Sequence, residues 1–341
     1  MGTLKPFSDI QVDKTANQSL KPGGSPLEMV LDLLPSNLSQ VLSHLTPEIL
    51  AQVEEIRIRQ GRPLMVRCHQ REHFVNFNGV SQDSDRAYLV TREDVNRTVQ
   101  VLTGSSLYAV EEELRHGYLT IPGGHRVGLA GRVVVKDGQV ETIRNIAGLN
   151  LRLAREFPGA GSAILPYLVD RHTKELRHTL IVSPPRCGKT TILRDLVRQV
   201  SSGVPELGLM GRTVGVVDER SEIAGSYKGV PQLDVGLRTD VLDACPKAQG
   251  MMMLVRAMGP EVIVADEIGR PEDFQALEEV INAGIKVLTS LHGRDLSDLE
   301  KRPSTRALLE RGVFERLVFL SRRSGVATVE QILDGRTLKP V

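Results

Sequence analysis

The sequence predicts two folded domains, a smaller α+β domain followed by an α/β domain with a mostly parallel sheet. Three observations support this prediction. In the second half of the chain, short apolar runs rich in β-branched residues alternate with amphipathic helical patterns, as in sheets covered on both faces. The first half mixes short helices with strands of alternating polarity. Between the halves, residues 158–162 read Pro-Gly-Ala-Gly-Ser, which indicates a linker.

Composition sets the domain boundaries that we expect. Residues 1–26 are polar and end in a stretch rich in proline and glycine, which is typical of a flexible tail. The α+β domain is expected over 27–157 and the α/β domain over 163–341, on either side of the linker. A chain of 341 residues is long enough for two domains with buried cores.

Two short helices are predicted at the start of the α+β domain. Apolar spacing places them over 27–34 and 38–45, with a break at Pro35 because proline cannot continue a helix. Polar and apolar side chains then alternate over 55–59, which predicts a half-buried strand.

A third helix and a hairpin complete this domain. Thr91 and Asp94 have the spacing of a capping box, and apolar residues follow at helical intervals. The runs 132–135 and 140–143 are predicted to pair as antiparallel strands. The Asp137-Gly138 dipeptide between them is a strong signal for a tight hairpin turn.

Strands and helices alternate in the α/β domain. Four apolar runs predict parallel strands: 180–182, 214–217, 262–265 and 286–288. Amphipathic helices are expected between them, with apolar stripes over 192–200 and 274–281. The runs 313–320 and 326–333 predict an antiparallel pair at the edge of this sheet.

A phosphate-binding loop follows the first of these strands and opens the first helix, which is the strand–loop–helix context of a Walker A motif. The residues predicted to bind ATP are Ser183, Pro184, Pro185, Arg186, Cys187, Gly188, Lys189, Thr190 and Thr191. Backbone N–H groups and the helix dipole would face the phosphates. Lys189 would bind the β- and γ-phosphates, and the Thr190 hydroxyl would bind Mg²⁺. The predicted fold class is therefore a RecA-like P-loop NTPase. Ser183 replaces the first glycine of the motif, where a left-handed backbone would be costly for serine.

Two strands end in carboxylates. Asp266 and Glu267 follow the run 262–265, and ionised groups at a buried strand tip need a nearby cation, which Mg²⁺ would supply. We assign Asp266 to the magnesium shell, directly or through water, and Glu267 as the preferred base that orients water. Glu219 follows the second strand and competes with Glu267 for the role of base. A salt-bridged surface loop is the alternative interpretation of Glu219.

The fourth strand leads to His292. A polar group at this strand end can contact the γ-phosphate and report its loss, so His292 is the predicted sensor. A single histidine is more often structural, and the prediction depends on this position at the strand end.

Composition argues against some classes of function. Lys and Arg number 43 against 42 Asp and Glu, tryptophan is absent and aromatic residues form 4% of the chain, so nucleic-acid binding is not expected. No apolar stretch approaches the roughly 20 residues of a membrane span. The three cysteines lack metal-ligand spacing, which favours a reduced, cytoplasmic chain.

The order of the motifs resembles that of type II and type IV secretion-system ATPases. In those proteins a Walker A motif, an acidic Asp box, a Walker B motif and a His box follow one another. The corresponding segments here are 183–191, 218–222, 262–267 and 289–292. Several strings resemble more closely the stage III sporulation protein AA family of endospore-forming bacteria: 186–191, 217–225, 238–243, 245–247 and 265–269.

These resemblances imply an ATPase in the cytoplasm of the mother cell. It would be peripheral at the membrane through partners, beneath a secretion-like channel to the forespore that is built from membrane proteins. They also imply a homo-oligomer, a hexameric ring with nucleotide at or near subunit boundaries. Two other functions stay open: a nucleic-acid-stimulated ATPase, for which the basic segment 294–311 could track phosphates, and a nucleotide switch that does not hydrolyse ATP.

Overall fold

The computed structural model describes three ranges of the chain: 26–69, 71–104 and 110–341. These residues divide into two compact units, an N-terminal unit over 26–155 and a C-terminal unit over Glu156–Val341. Each unit has its own seven-stranded sheet. The predicted tail over 1–26 lies outside the described residues except for Pro26, with which the first helix begins.

The N-terminal unit is an antiparallel sheet with five helices. Its helices are α1 (Pro26–Leu31), α2 (Ser36–Ser43), α3 (Pro47–Gln52), α4 (Arg92–Leu102) and α5 (Glu111–His116). Its strands are β1 (Val53–Arg59), β2 (Met65–Cys68), β3 (Arg71–Asn76), β4 (Gly79–Ser81), β5 (Tyr118–Ile121), β6 (His125–Lys136) and β7 (Gln139–Arg152). The strand order is β4-β3-β2-β1-β7-β6-β5, and every neighbouring pair is antiparallel.

Local sequence signals account for much of this unit. The Thr91 hydroxyl accepts a hydrogen bond from the Asp94 amide at 3.1 Å, and the Asp94 carboxylate accepts one from the Thr91 amide at 2.8 Å. The predicted capping box is therefore present at the start of α4. The hairpin of β6 and β7 turns at Asp137 and Gly138, both with a positive φ, and its strands are longer than predicted. Helix α1 ends at Leu31, three residues earlier than the predicted end.

The C-terminal unit has a mostly parallel sheet. Its strands are β8 (Thr179–Ser183), β9 (Val214–Asp218), β10 (Thr239–Asp243), β11 (Val262–Ala265), β12 (Lys286–His292), β13 (Arg316–Ser321) and β14 (Thr328–Asp334). Its helices are α6 (Leu165–Leu168), α7 (Lys189–Ser202), α8 (Lys247–Ala257), α9 (Pro271–Asn282), α10 (Leu296–Glu300) and α11 (Pro303–Glu310). The strand order is β10-β9-β11-β12-β8-β13-β14, and only the last pair is antiparallel.

This sheet is buried on both faces. Successive residues of β8, Leu180 and Ile181, pack into different hydrophobic clusters. The cluster around Ile181 includes the apolar stripe of α7, and the cluster around Leu180 includes apolar residues of α8 and α9. All four predicted parallel strands and the predicted antiparallel pair are present. The prediction missed β10, an edge strand with only two apolar residues, which lacks the continuous apolar pattern of its neighbours.

The segment 158–162, predicted as a linker, packs within the C-terminal unit. The amides of Gly159 and Gly161 donate hydrogen bonds of 3.0 and 2.7 Å to the carboxylate of Asp195 in α7. Ala160 between them is buried. This segment is therefore held against the helix that follows the phosphate loop. Within the described part of the chain, no helix combines the length and apolarity that a membrane crossing requires.

Candidate functional site

The phosphate loop connects the end of β8 to the start of α7. Ser183 is fully buried and belongs to the strand, so its backbone is extended, and the left-handed positions of the loop are Arg186 and Gly188. The expected conformational cost at Ser183 therefore does not arise. Pro185 and Arg186 are exposed, whereas Cys187 is buried.

The turn between β13 and β14 packs on this loop. The Ala327 amide donates a 3.0 Å hydrogen bond to the Cys187 carbonyl. A Cβ atom at Gly188 would lie 2.9 Å from Cγ1 of Val326 and 3.0 Å from Cβ of Ala327. Gly188 also has a φ of +89°. Both the close approach of this turn and the backbone conformation therefore require glycine at position 188.

Lys189 is buried at the first position of α7. Its Nζ lies 2.9 Å from Nδ1 of His292 and 3.4 Å from the Ser183 carbonyl oxygen. Burial lowers the pKa of Lys189, and the nearby carboxylates of Asp266 and Glu267 oppose that shift. The lysine is therefore held in the position where the motif predicts a phosphate-binding charge.

Thr190 and Asp266 are in contact. The Thr190 hydroxyl donates a 2.6 Å hydrogen bond to Oδ2 of Asp266, and the Ser290 hydroxyl donates to Oδ1. Among the described residues, Asp266 has these hydroxyl partners and no ion pair. Hydroxyl and carboxylate oxygens are hard ligands that suit Mg²⁺, which binds through one or two protein groups together with phosphate oxygens and water. The two predicted magnesium ligands thus lie together, with a donor chemistry that fits the ion.

In the described ranges, no group of three or more His, Cys, Asp or Glu side chains is arranged to hold a metal ion.

Glu267 lies at the end of a hydrogen-bonded chain. One of its carboxylate oxygens is 2.8 Å from Nε2 of His292, and the other is 3.3 Å from Nη1 of Arg220. Because an ammonium group only donates, Lys189 donates to Nδ1 of His292, and Nε2–H of His292 then donates to Glu267. The predicted sensor therefore connects Lys189, the predicted phosphate-binding lysine, to the predicted base.

The backbone at Glu267 is unusual for a residue with a side chain. Its φ is +53°, and its amide donates a 3.0 Å hydrogen bond to the buried hydroxyl of Ser290. Ser290 thus orders both Asp266 and Glu267. This role of Ser290 was not predicted from the sequence, although a polar residue inside a buried strand is a signal that could have indicated it. A strained backbone held in place by its surroundings is typical of functional positions.

Asp218, at the end of β9, orders the acidic loop that follows. It is buried, and it accepts hydrogen bonds of 2.8, 3.0 and 2.8 Å from the backbone amides of Glu222, Ile223 and Ala224. Burial raises the pKa of Asp218 to about 6, although these hydrogen bonds oppose the shift. Asp218 is therefore a structural residue of this loop, and Glu219 beside it faces the cleft.

Glu219 is paired with two cations. Its carboxylate contacts Nζ of Lys247 and lies 3.8 Å from Nη1 of Arg270. One cleft brings these groups together with the carboxylates at the end of β11. It is lined by Asp218, Glu219, Arg220, Glu222, Lys247, Asp266 and Glu267. The two predicted base candidates therefore face the same space. Lys247, which lines the same cleft, was not predicted from the sequence as a site residue.

The fold of the chain is that of P-loop secretion ATPases, and the predicted RecA-like class is confirmed. The ATPase DotB of Yersinia pseudotuberculosis superposes with a TM-score of 0.54 at 13% identity, over 93% of this chain and 82% of DotB. The pilus retraction motor PilT, solved with bound ADP, gives a TM-score of 0.52 at 13% identity, over 87% of this chain and 78% of PilT. At these identities the likeness concerns the fold.

The chain belongs to the family described as sporulation stage III, protein AA, whose model matches residues 26–339. It is 44% identical over 305 residues to the stage III sporulation protein AA of Bacillus subtilis (strain 168). That alignment covers 89% of this chain and 94% of the Bacillus protein. The predicted family is therefore confirmed, while the roles predicted for individual site residues stay predictions.

Proposed function

We propose that this chain hydrolyses ATP in a magnesium-dependent reaction and thereby drives a secretion-like transport channel between mother cell and forespore. The observation that supports hydrolysis is the convergence of Lys189, the Thr190–Asp266 pair and Glu267 on one edge of the parallel sheet. The channel role is supported by the sporulation family to which the chain belongs and by its secretion-ATPase fold.

The phosphate loop holds the substrate in this proposal. Its amides and Lys189 bind the β- and γ-phosphates, and Thr190 and Asp266 hold Mg²⁺. The magnesium ion neutralises charge on the phosphate oxygens when it is bound. Asp266 is available to bind Mg²⁺ because its partners are the hydroxyls of Thr190 and Ser290 rather than cations. A carboxylate oxygen can give up a hydroxyl hydrogen bond more easily than an ion pair when it binds the metal.

Glu267 serves as the base. Its carboxylate accepts a proton from water while the water oxygen forms a bond to the γ-phosphorus and the bond to the β–γ bridging oxygen breaks. The products are ADP and inorganic phosphate. Glu219 is the second candidate, and the oxygens of both carboxylates have cationic or imidazole partners. Glu267 is preferred because it directly follows Asp266 and because its partner His292 also contacts Lys189.

His292 serves as the sensor. It contacts Lys189 on one side and Glu267 on the other, at 2.9 and 2.8 Å. A lysine that moves to bind a γ-phosphate would leave Nδ1 of His292 without this donor. The change would reach Glu267 through the same imidazole ring.

The proposed assembly is a cytoplasmic homo-hexamer on the mother-cell side, held at the membrane by membrane proteins of the channel. The motor fold shared with PilT and DotB supports this assembly. Its first test is the ATPase rate per chain against protein concentration. A rate that rises with concentration supports a site completed by self-assembly, and a flat rate argues against it.

Two variants, Lys189→Ala and Glu267→Gln, test the reaction itself, and Glu219→Gln is the comparison for the base. Lys189→Ala should lose nucleotide binding because the buried phosphate-binding charge is gone. Glu267→Gln should keep ATP binding and lose about 10²–10⁴-fold in turnover, which is the usual contribution of a general base. Binding is measured with a fluorescent ATP analogue and turnover by phosphate release.

The outcomes separate the alternatives. Undiminished turnover in Lys189→Ala would overturn the proposed site. Collapse of turnover in Glu219→Gln, with Glu267→Gln near wild type, would reverse the assignment of the base. Tight ATP binding without turnover in the assembled wild type would identify a nucleotide switch.

A further inference from the structure

Lys247 is a buried cation in the cleft that the proposed reaction uses. It is the first residue of α8, and its side chain is 10% exposed. Lysine is among the residue types least often buried unless they are paired. Its partner is Glu219, which belongs to the loop after β9. The pair places the Lys247 side chain beside a carboxylate inside the cleft.

The sheet register places this ion pair beside the predicted magnesium ligand and base. In the parallel pair of β9 and β11, Val217 lies opposite Ala265. Two positions after this pair, the chain reaches Glu219 at the end of β9 and Glu267 at the end of β11. Lys247 lines the same cleft as Asp266 and Glu267. A lysine side chain is long and flexible enough to exchange one oxygen partner for another within such a cleft.

Lys247 is much less exposed to solvent than the two arginines that contact carboxylates of this cleft. The side chains of Arg220 and Arg270 also reach its carboxylates, but they are 61% and 71% exposed. Charge stabilisation in phosphoryl transfer is most effective when the cation is held in place before the reaction and is shielded from water. The low solvent exposure of Lys247 therefore makes it a better candidate for charge stabilisation than Arg220 or Arg270.

We propose that Lys247 is a second catalytic cation, which Glu219 holds in the cleft of the nucleotide-free chain and which contacts γ-phosphoryl oxygens in the transition state. This inference rests on the proposed ATPase function. In the transition state, a γ-phosphoryl oxygen replaces the Glu219 carboxylate as the partner of Lys247 Nζ. Glu219 then remains paired with Arg270 alone. The same chain thereby supplies both Lys189 and Lys247 to the transferred group.

The test compares two nucleotide states. The affinities of Mg·ADP alone and of Mg·ADP with orthovanadate, which mimics the phosphoryl group in transfer, are measured by titration calorimetry. Lys247→Met should leave the ADP affinity within about 3-fold and weaken the vanadate complex by at least about 30-fold, as for loss of one transition-state donor. Arg270→Met, which removes the exposed partner of Glu219, should leave both affinities within about 3-fold. Equal effects of Lys247→Met on both complexes, or no effect on either, would overturn the proposal.

A double-variant cycle separates contact with phosphate from an effect through Glu219. In a Glu219→Gln background, Lys247→Met should still weaken the vanadate complex by a similar factor. If its effect disappears there, Lys247 acts only through Glu219 and the proposal is wrong. Lys247→Arg, which keeps the charge, should recover part of the vanadate affinity, and it serves as the test if the methionine variant does not fold.

The control with Lys189→Ala separates this inference from the proposed function. A wild-type protein that binds neither ADP nor ADP–vanadate would overturn both. A wild type that binds both tightly, loses both in Lys189→Ala and is unaffected by Lys247→Met would leave the ATPase proposal standing and overturn the role of Lys247.

Discussion

The two sheets of this chain each have seven strands but differ in strand direction. In the N-terminal unit all neighbouring strands are antiparallel, so successive strand ends alternate between opposite edges. In the C-terminal unit only β14 runs against its neighbour, so the carboxyl ends of the other strands meet at one edge. That edge holds the phosphate loop, Asp218, Asp266 and His292. Strand direction therefore decides where polar groups from distant parts of the chain can meet.

Two carboxylates, Glu55 of the N-terminal unit and Asp266 of the C-terminal unit, have partners of different kinds. Glu55 of β1 is 6% exposed and lies near three arginines, at 2.5 Å from Arg57 and 3.9 Å from both Arg67 and Arg152. Asp266 instead has hydroxyl partners, and among the described residues it forms no ion pair. Glu55 is neutralised by arginines of its own unit. Asp266 is the carboxylate that the proposed reaction assigns to Mg²⁺.

The largest effect is expected when a buried isoleucine is replaced by alanine, and the two sheets can be compared by making this change in each. Ile58 of β1 and Ile181 of β8 are both fully buried. Replacing either by alanine should lower the unfolding free energy by about 2–5 kcal/mol, measured by chemical denaturation. Only Ile181→Ala should also weaken ATP binding, because β8 leads into the phosphate loop. If Ile58→Ala weakens ATP binding as much as Ile181→Ala does, the C-terminal sheet has no special role in ATP binding.

A smaller effect concerns the buried carboxylate at the end of β9. The pKa of Asp218 is raised by burial from 3.8 to about 6, so between these pH values the folded state holds a proton that the unfolded state releases. This group's contribution to the unfolding free energy therefore falls as pH rises from about 4 to about 6, by about 3 kcal/mol in all.

Asp218→Asn removes this titration. The unfolding free energy of the wild type minus that of the variant should fall over the same pH range, as measured by urea unfolding at several pH values. Asp240→Asn, at an exposed position of β10, is the matched control and should follow the wild type. A difference that rises with pH would contradict the burial of a carboxylate at this strand end.

The smallest effect tests a local signal in the N-terminal unit. Thr91→Ala should cost about 1 kcal/mol of unfolding free energy, because it removes the hydroxyl that accepts the Asp94 amide at the start of α4. Thr46→Ala is the matched control, since Thr46 precedes α3 without a side-chain capping hydrogen bond. Its effect should stay within about 0.5 kcal/mol. Equal costs for both variants would show that the capping box adds no stability here.

Prediction succeeded where the signal is contiguous in sequence. The apolar run before Asp266 defines a buried strand, and the Thr91–Asp94 spacing defines a helix start, because each depends on residues within a few positions. It failed at β10, whose polar residues suit an edge position that only the completed sheet provides. It also missed Ser290, whose hydroxyl contacts Asp266 at a separation of 24 residues.

The sequence by itself determined the family, the phosphate loop and the residue types of the site, because a strand, a glycine-containing loop and a helix start follow one another without interruption. Only the tertiary structure decided which carboxylate meets which cation. Glu219 and Lys247 are 28 residues apart, and Lys189 and His292 are 103 apart. Such pairs form because the strand order β9-β11-β12-β8 brings their ends together, and that order arises from packing across the whole sheet.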